Sequence, residues 1–69
     1  MQFGEWFKTA TDSERKEVAK KANTTIGYLI QLAGGHRKPS PGLARKLETA
    51  TQGKVKKEDM RPDLWGLAA

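Results

Sequence analysis

Residues 17–25 read EVAKKANTT, and this stretch decides the fold. Its valine and its two alanines lie three and four positions apart, the spacing that puts apolar side chains on one face of a helix. Asn23 then tolerates the left-handed backbone that ends a helix, and Thr24 can cap the next helix. Because so short a turn cannot leave two helices parallel, the stretch predicts two helices that cross.

The second helix of this pair is expected over about residues 25–33, where Leu29 and Leu32 face inward and Gly34-Gly35 stops the helix. A helix-turn-helix needs a small residue where the helices cross, a turn residue that accepts positive φ, and apolar positions that hold the crossing angle. The alanine, asparagine and leucine positions of this segment meet these needs, with asparagine where glycine is commoner. The sequence therefore predicts a helix-turn-helix.

Upstream of this pair, another short helix is expected over about residues 2–10. Its apolar residues recur at spacings of three and four and make one core-facing side: Phe3, Trp6, Phe7 and Ala10. The next residues, TDSE at 11–14, read as a capping box, in which the Thr11 hydroxyl accepts from the Glu14 amide and the Glu14 carboxylate reaches back. The first helix of the pair should begin there.

Downstream, Ser40-Pro41 supplies a cap and a first-turn proline for a further helix. Its inward positions are Leu43, Leu47 and Ala50, and Gly53 marks its end. One more turn is expected over about residues 56–60, before Arg61-Pro62 breaks it. Residues 54–56 form a stretch too short for its pattern of polar and apolar residues to exclude a strand.

These elements predict an all-α bundle of four to five short helices. We expect one helix-turn-helix domain over residues 1–60 and a tail over residues 61–69 that serves packing or dimer contact. With 69 residues, a chain this short buries a comparatively small fraction of its surface, which leaves little room for an elaborate cleft.

The composition excludes several classes of site. The chain has no cysteine and a single histidine, which excludes disulfides, thiolate metal sites and all-histidine metal sites. No paired acid and base, no nucleophile beside the histidine and no phosphate-binding glycine loop stands out. We therefore expect neither an enzyme nor a cofactor.

Two further signals concern location. No apolar run approaches the ~20 residues that a membrane span needs. The first residues, MQFGE, have neither a basic region nor a long apolar stretch for secretion. We therefore expect a cytoplasmic protein without membrane contact.

Positive charge is concentrated in the middle of the chain. The net charge is +5, but residues 15–46 hold eight basic residues and one acidic residue, while the flanks are mildly acidic. A basic segment of this kind suits a polyanion, because phosphate contacts release counterions. A lysine-rich face that keeps a small protein soluble explains the charge alone equally well.

At residues 17–25, and at Leu29, Leu32 and Gly35, the chain resembles the lambda repressor and Cro family of phage regulators. The likeness covers about residues 15–39. Short motifs along the chain are similar to the YdaS-type branch of Cro-like proteins, some of which are described as antitoxins: GYL at 27–29, GHR at 35–37, PSP at 39–41 and RPDLW at 61–65. The resemblance implies a lambda-repressor-like bundle whose second and third helices read DNA.

The resemblance further implies that the exposed face of the third helix enters the major groove. The reading positions are Thr25, Ile26, Gly27, Tyr28 and Gln31. Gln31 is the strongest candidate, since a side-chain amide can bond an adenine edge at two points; the less favoured alternative is a solvent-facing glutamine. Ile26 contacts a thymine methyl or packs on the preceding helix. Gly27 lets the backbone approach DNA or makes room for Tyr28, which contacts DNA or covers the basic loop.

Phosphate contacts are expected from residues at helix ends and in the loop after the third helix: Arg15, Thr24, His36, Arg37, Lys38 and Arg45. The remaining lysines of the basic segment, such as those at positions 16, 20 and 21, are better read as surface residues.

The sequence thus predicts a Cro-like repressor of a phage or prophage, dimeric on a palindromic operator in double-stranded DNA. The alternative is an antitoxin or a phage-encoded inhibitor that acts by contact with a toxin or a host protein. Trp65 has two interpretations of equal weight: it folds back on the domain, or it buries into a second copy.

Overall fold

The computed structural model describes residues 1–65, which form six short helices and no β-strand. The helices are α1 (Phe3–Thr9), α2 (Asp12–Lys21), α3 (Ile26–Ala33), α4 (Pro41–Ala50), α5 (Lys57–Met60) and α6 (Pro62–Trp65). The all-α prediction is confirmed. The helices outnumber the expected four to five because Pro62 begins a further turn as well as ending α5. In this part of the chain, no helix has the length and apolar character to cross a membrane.

Side-chain caps begin α2 and α4 as the sequence predicts. Ahead of α2, the Thr11 hydroxyl accepts from the Glu14 amide at 3.1 Å, and Glu14 Oε1 accepts from the Thr11 amide at 2.8 Å. Ahead of α4, Ser40 Oγ accepts from the Leu43 amide at 3.2 Å, and Pro41 occupies the first helical position. Both starts are therefore fixed by local sequence.

Thr24 was expected to cap α3, and that expectation is wrong. The cap is Thr25, whose Oγ1 accepts from the Tyr28 amide at 3.1 Å. The Thr24 amide instead donates to the Ala19 carbonyl at 2.8 Å and so closes α2. Because Thr24 belongs to the end of α2, one more residue is needed before α3 can begin.

Three helices end with one pattern of backbone hydrogen bonds. In each, a residue of positive φ follows the cap, and two amides donate to carbonyls of the last turn. That residue is Asn23 (φ 57) after α2, Gly35 (φ 79) after α3 and Gln52 (φ 58) after α4. The left-handed asparagine and the glycine stop of α3 are confirmed. At α4 the closing residue is a glutamine, and Gly53 (φ 80), expected to end the helix, comes one position later.

The core lies where α1, α2, α3 and α4 meet. Its buried apolar residues are Phe3, Trp6, Val18, Ala19, Ala22, Leu29, Leu32, Leu47, Ala50 and Val55. Phe7, Ala10 and Leu43 are half-buried against it, so the predicted inward faces of α1 and α4 are confirmed. Ala44, fully buried on α4, is an inward position that the sequence analysis missed.

Val55 is fully buried and lies in a loop, not in a strand. The buried hydroxyl of Thr51 holds this loop, because it donates to the Leu47 carbonyl at 2.8 Å and accepts from the Val55 amide at 3.2 Å. This pairing satisfies the polar groups that burial would otherwise leave without partners. Val55 can therefore fill the core between α4 and α5.

Helix α1 packs directly on α3. A Cβ atom at Gly4 would lie 2.9 Å from the Ala33 carbonyl oxygen, which is closer than real Cβ contacts occur. The absence of a side chain at Gly4 therefore sets the distance between the two helices. On the inner side of α1, the rings of Phe3 and Trp6 lie 5.5 Å apart between centroids and anchor the helix in the core.

Two side chains of the described C-terminal residues, Arg61 and Trp65, contact the rest of the domain. Arg61 Nη1 donates to the Pro39 carbonyl at 2.9 Å, and Arg61 also pairs with Asp63. The Trp65 ring lies within cation–π distance of the Arg45 guanidinium (5.5 Å) and the Lys57 ammonium (5.7 Å). Within one chain, Trp65 thus folds back on α4 and α5. The last four residues of the predicted tail, 66–69, lie outside the described residues.

Candidate nucleic-acid interface

Helices α2 and α3 form a helix-turn-helix. Ala19 and Ala22, exposed by 5% and 1%, let α3 approach α2 closely, and the fully buried Leu29 fills the crossing. Asn23 makes the turn in the left-handed conformation, and Thr25 begins α3. Small residues at the crossing and a tight turn give the pair the geometry that the sequence predicts.

One side of α3 faces away from the core. Gly27, Ile30 and Gln31 are three and four positions apart and are all exposed, so they form one stripe along the helix. We call these three residues the exposed stripe. Ile30 is an apolar residue with 54% of its surface accessible. Among residues 1–65, Ile30 is not one of the apolar residues that pack against the core.

The predicted base-reading residues divide between this stripe and the core side of α3. Gly27 and Gln31 lie on the stripe, and the cap Thr25 is exposed beside it. Ile26 and Tyr28 are half-buried and pack against the core. The packing alternative for Ile26 is therefore present in the structure, and the Tyr28 ring is only partly available to a ligand.

The loop after α3 returns to the exposed stripe. The His36 amide donates to the Gln31 carbonyl at 2.9 Å and reverses the chain at Gly35. As a result Arg37 reaches back to the helix, and its Nε donates a hydrogen bond to the Gln31 side-chain oxygen Oε1. A residue expected to contact phosphate thus lies against the strongest base-reading candidate.

His36 and Lys38 are exposed in the same loop. Lys38 lies close enough to Asp63 to contribute to the lowered pKa of that carboxyl, although the hydrogen bond from Arg61 is the larger cause. The loop then passes through the buried Pro39, whose carbonyl is held by Arg61. A cationic loop fixed at its far end therefore lies beside the exposed stripe.

Arg15 and Arg45, the remaining basic candidates, are held by contacts within the domain. Arg15 Nε and Nη2 both donate to the Phe7 carbonyl, at 2.9 and 2.6 Å, and the side chain is 27% exposed. Arg45 lies over the Trp65 ring. Neither guanidinium is brought together with Arg37, so the predicted phosphate residues do not form a single cluster.

The end of α2 holds Thr24, a predicted phosphate contact, and Lys21, a predicted surface lysine. Thr24 is half-buried, and its amide is used to close α2. Lys21 pairs with Glu17 one turn earlier at 3.6 Å, which partly neutralises its charge. Lys21 therefore behaves as the surface lysine that the sequence analysis expected.

Similarity to a known protein shows the family to which the chain belongs. No model of a known protein family matches it. A prophage transcriptional regulatory protein of Escherichia coli (strain K12) is 38% identical over 60 residues, which cover 87% of this chain and 91% of the relative. The chain belongs to the family of prophage transcriptional regulatory proteins. The narrower resemblance to Cro and to the YdaS-type branch stays a prediction.

The match to this prophage regulator spans 60 residues, more than the 22 residues from Asp12 to Ala33 that form the helix-turn-helix. The likeness therefore extends to the helices that support α2 and α3. The expectation of a phage or prophage regulator agrees with this relative at the level of the family.

Ile30 is a candidate contact of this regulator that was not among the predicted base-reading residues. A signal was present, because the α3 sequence IGYLIQLA has apolar residues at five of its positions besides Tyr28. One face of an eight-residue helix cannot bury all of them. Leu29 and Leu32 occupy the buried face, and Ile30 is left on the opposite side.

The exposed stripe and the loop of the regulator offer three kinds of contact. Ile30 offers an apolar surface, Gln31 offers amide donors, and Arg37 and Lys38 offer positive charge. Gly27 carries no side chain, and a Cβ atom there would contact the Thr25 hydroxyl oxygen at 3.9 Å, so the exposed backbone can come close to a ligand at this position. This combination suits a surface that carries both negative charge and patterned hydrogen-bonding groups.

Proposed function

We propose that the chain is a sequence-specific transcriptional regulator, a Cro-like repressor that binds double-stranded DNA through α3. The observation that carries the proposal is the exposed stripe of Gly27, Ile30 and Gln31 on the second helix of a helix-turn-helix. The relative named a prophage transcriptional regulatory protein supports the same function. This proposed function needs no catalytic group or cofactor. The protein carries it out in the cytoplasm, where the DNA lies.

In the proposed complex, α3 lies in the major groove, which at about 12 Å is wide enough to admit a helix. The stripe meets the base edges, and Thr25 at the start of α3 contacts the edge of the groove. Ile30 contacts a thymine methyl group, because an exposed branched aliphatic side chain matches that apolar feature of the groove. Ile26 and Tyr28 mainly hold the helix in position.

Phosphates on either side of the groove are bound by the loop after α3. His36 and Lys38 are exposed there, and Arg37 lies between them at the end of the stripe. Phosphate contacts set the orientation of the protein on the duplex and carry no sequence information themselves. Arg15, Thr24 and Arg45 have a smaller part in this scheme, since each has a partner within the domain.

A repressor of this size gains specificity by binding as a homodimer to a palindromic operator. Two-fold symmetry places the two copies of α3 on the same side of the duplex, about 34 Å apart, in successive major grooves. Occupation of the operator then blocks transcription. Footprints without two-fold symmetry would refute the dimer.

The proposal is tested by fluorescence anisotropy with the full chain. Duplexes are first selected by the protein from a random-sequence library, and the selected duplex is compared with a scrambled one at several salt concentrations. We expect tighter binding to the selected duplex at every salt concentration, with a salt slope that reports the phosphate contacts. Equal, weak and steeply salt-dependent binding to both would refute sequence-specific regulation.

Equal and weak binding to both duplexes would favour the alternative of an antitoxin or inhibitor that contacts a protein. The surface to examine would then be α6, where Leu64 is 43% exposed. A Leu64→Asp variant that lost binding to the toxin or host protein, and kept its helical spectrum, would support this alternative.

A further inference from the structure

The hydrogen bond between Gln31 and Arg37 changes the chemistry that the exposed stripe presents. A free glutamine amide has one acceptor, Oε1, and two N–H donors on Nε2. In this protein Oε1 accepts from Arg37 Nε, which engages one of its two lone pairs, so the groups of the pair that remain for a ligand are mainly donors. Arg37 is itself a donor at every nitrogen.

The second half of the pair is the guanidinium end of Arg37. Among residues 1–65, no carboxylate lies within ion-pair distance of Arg37, and its Nη1 and Nη2 atoms make no hydrogen bond. Arg37 is exposed. The hydrogen bond from its Nε to Gln31 holds the side chain on the side of the loop that faces the exposed stripe. The pair therefore points several N–H groups outward and has its side-chain acceptor engaged.

Base pairs in the major groove differ in how they match such a pair. Adenine presents an acceptor, N7, beside a donor, the N6 amino group, and a glutamine reads it by using both its own donor and its own acceptor. Guanine presents two acceptors, N7 and O6. A unit that offers mainly donors matches both acceptors of guanine, whereas it has a single, partly engaged acceptor for the adenine amino group.

We propose that Gln31 and Arg37 act as one unit that reads guanine in each half of the operator. This inference rests on the proposed function, and it replaces the expectation that Gln31 reads adenine while Arg37 binds phosphate. Arg37 then determines specificity twice: it donates to the guanine edge, and it engages one lone pair of the acceptor with which Gln31 would read adenine.

The test compares four proteins on matched duplexes by competition anisotropy: the wild type, Gln31→Ala, Arg37→Ala and, as a matched control from the same loop, Lys38→Ala. Each G·C pair of the selected duplex is changed in turn to A·T. For the wild type we expect one position per half-site where this change weakens binding about tenfold, the equivalent of ~1.4 kcal/mol. Lys38→Ala should weaken binding to every duplex by a similar factor and keep the guanine preference.

Arg37→Ala gives the decisive result. Loss of the arginine frees Gln31 Oε1, so the preference at that position should move from guanine to adenine. Gln31→Ala should lose most of the preference without gaining one for adenine. Circular dichroism and thermal melting confirm that each variant is folded, which is expected because both side chains are exposed.

Modified bases identify the atoms. Replacing the guanine by 7-deazaguanine removes the N7 acceptor and should weaken binding of the wild type but not of the double variant Gln31→Ala/Arg37→Ala. Replacing it by inosine keeps O6 and N7 and removes only the minor-groove amino group, so it should leave the affinity unchanged.

Two results would overturn the inference while leaving the proposed function intact. One is a selected duplex on which the wild type prefers adenine at the position coupled to Gln31. The other is an Arg37→Ala variant that behaves like Lys38→Ala, weaker on every duplex with its base preference kept. If the wild type does not distinguish selected from scrambled duplexes, the proposed function fails, and the inference fails with it.

Discussion

Arg15 closes the C-terminal end of α1 by binding Phe7 in two ways. Its Nε and Nη2 atoms donate to the Phe7 carbonyl at 2.9 and 2.6 Å, and its guanidinium carbon lies 4.2 Å from the centroid of the Phe7 ring. Helix ends leave carbonyl groups without partners, and a cation there also suits the helix dipole. One side chain from α2 therefore fixes α1 against the helix-turn-helix.

Replacing Arg15 by Ala should lower the free energy of unfolding by about 1–3 kcal/mol, because a partly buried carbonyl loses a charged donor and the ring loses a cation. Urea denaturation followed by circular dichroism measures this. Lys16→Ala is the matched control on the next position of α2 and should change stability by less than about 0.5 kcal/mol. Equal stabilities of the two variants would contradict the structural role of Arg15.

Replacing Gly4 by Ala should destabilise the domain by about 1–3 kcal/mol, because the new Cβ would press on the Ala33 carbonyl and push α1 away from α3. Gly42→Ala is the control. It also lies in a helix but has no atom within 4 Å of its Cβ position, so it should stabilise the domain by up to about 1 kcal/mol through helix propensity. Thermal melting of the two variants should thus move in opposite directions.

Acid should weaken the start of α2. A hydrogen bond from the Thr11 backbone amide holds the pKa of the Glu14 carboxyl below its usual 4.5, and the hydrogen bond with the Thr11 hydroxyl lowers this pKa further. Because the folded pKa lies below the unfolded one, this carboxylate stabilises the fold above pH 4.5, and its contribution is lost as the pH falls through the folded pKa.

The melting temperature of the wild type should therefore fall more, between about pH 6 and about pH 2, than that of Glu14→Gln. Glutamine keeps a capping-box acceptor but does not titrate there. Other carboxylates titrate in both proteins, so the difference between the two curves isolates Glu14. Parallel curves would show that the capping box does not depend on the charge of Glu14.

Ile30 should recognise a methyl group of DNA. Replacing thymine by uracil in the selected duplex removes only that methyl group, which should weaken wild-type binding at one position by about 0.8 kcal/mol, or roughly fourfold. Ile30→Ala should bind the two duplexes equally, since its contact is already absent. The idea fails if uracil affects both proteins alike at every position.

Local signals in the sequence predict much of this fold. The capping box at Thr11 and Glu14, the Ser40-Pro41 start of α4 and the left-handed Asn23 each depend on a few neighbouring residues, and each is found where expected. The predicted Thr24 cap failed by one residue because the end of α2 and the start of α3 compete for the same threonines.

Contacts between distant parts of the chain could not be predicted in this way. The Gly4 approach to Ala33 and the bond from Arg61 to Pro39 join residues whose meeting depends on how the helices pack. The link from Arg37 to Gln31 spans only six residues, yet it depends on the reversal at Gly35. The sequence therefore indicated Gln31 and Arg37 as separate candidates, but it indicated neither Ile30 nor the hydrogen bond that joins Arg37 to Gln31.

The hydrogen bond from Arg61 to the Pro39 carbonyl has a consequence for how the basic loop binds. A tethered loop samples fewer conformations in the free protein, so it loses less conformational entropy when it becomes ordered on a phosphate backbone. In the proposed complex, Arg61 therefore strengthens association by preorganising the loop.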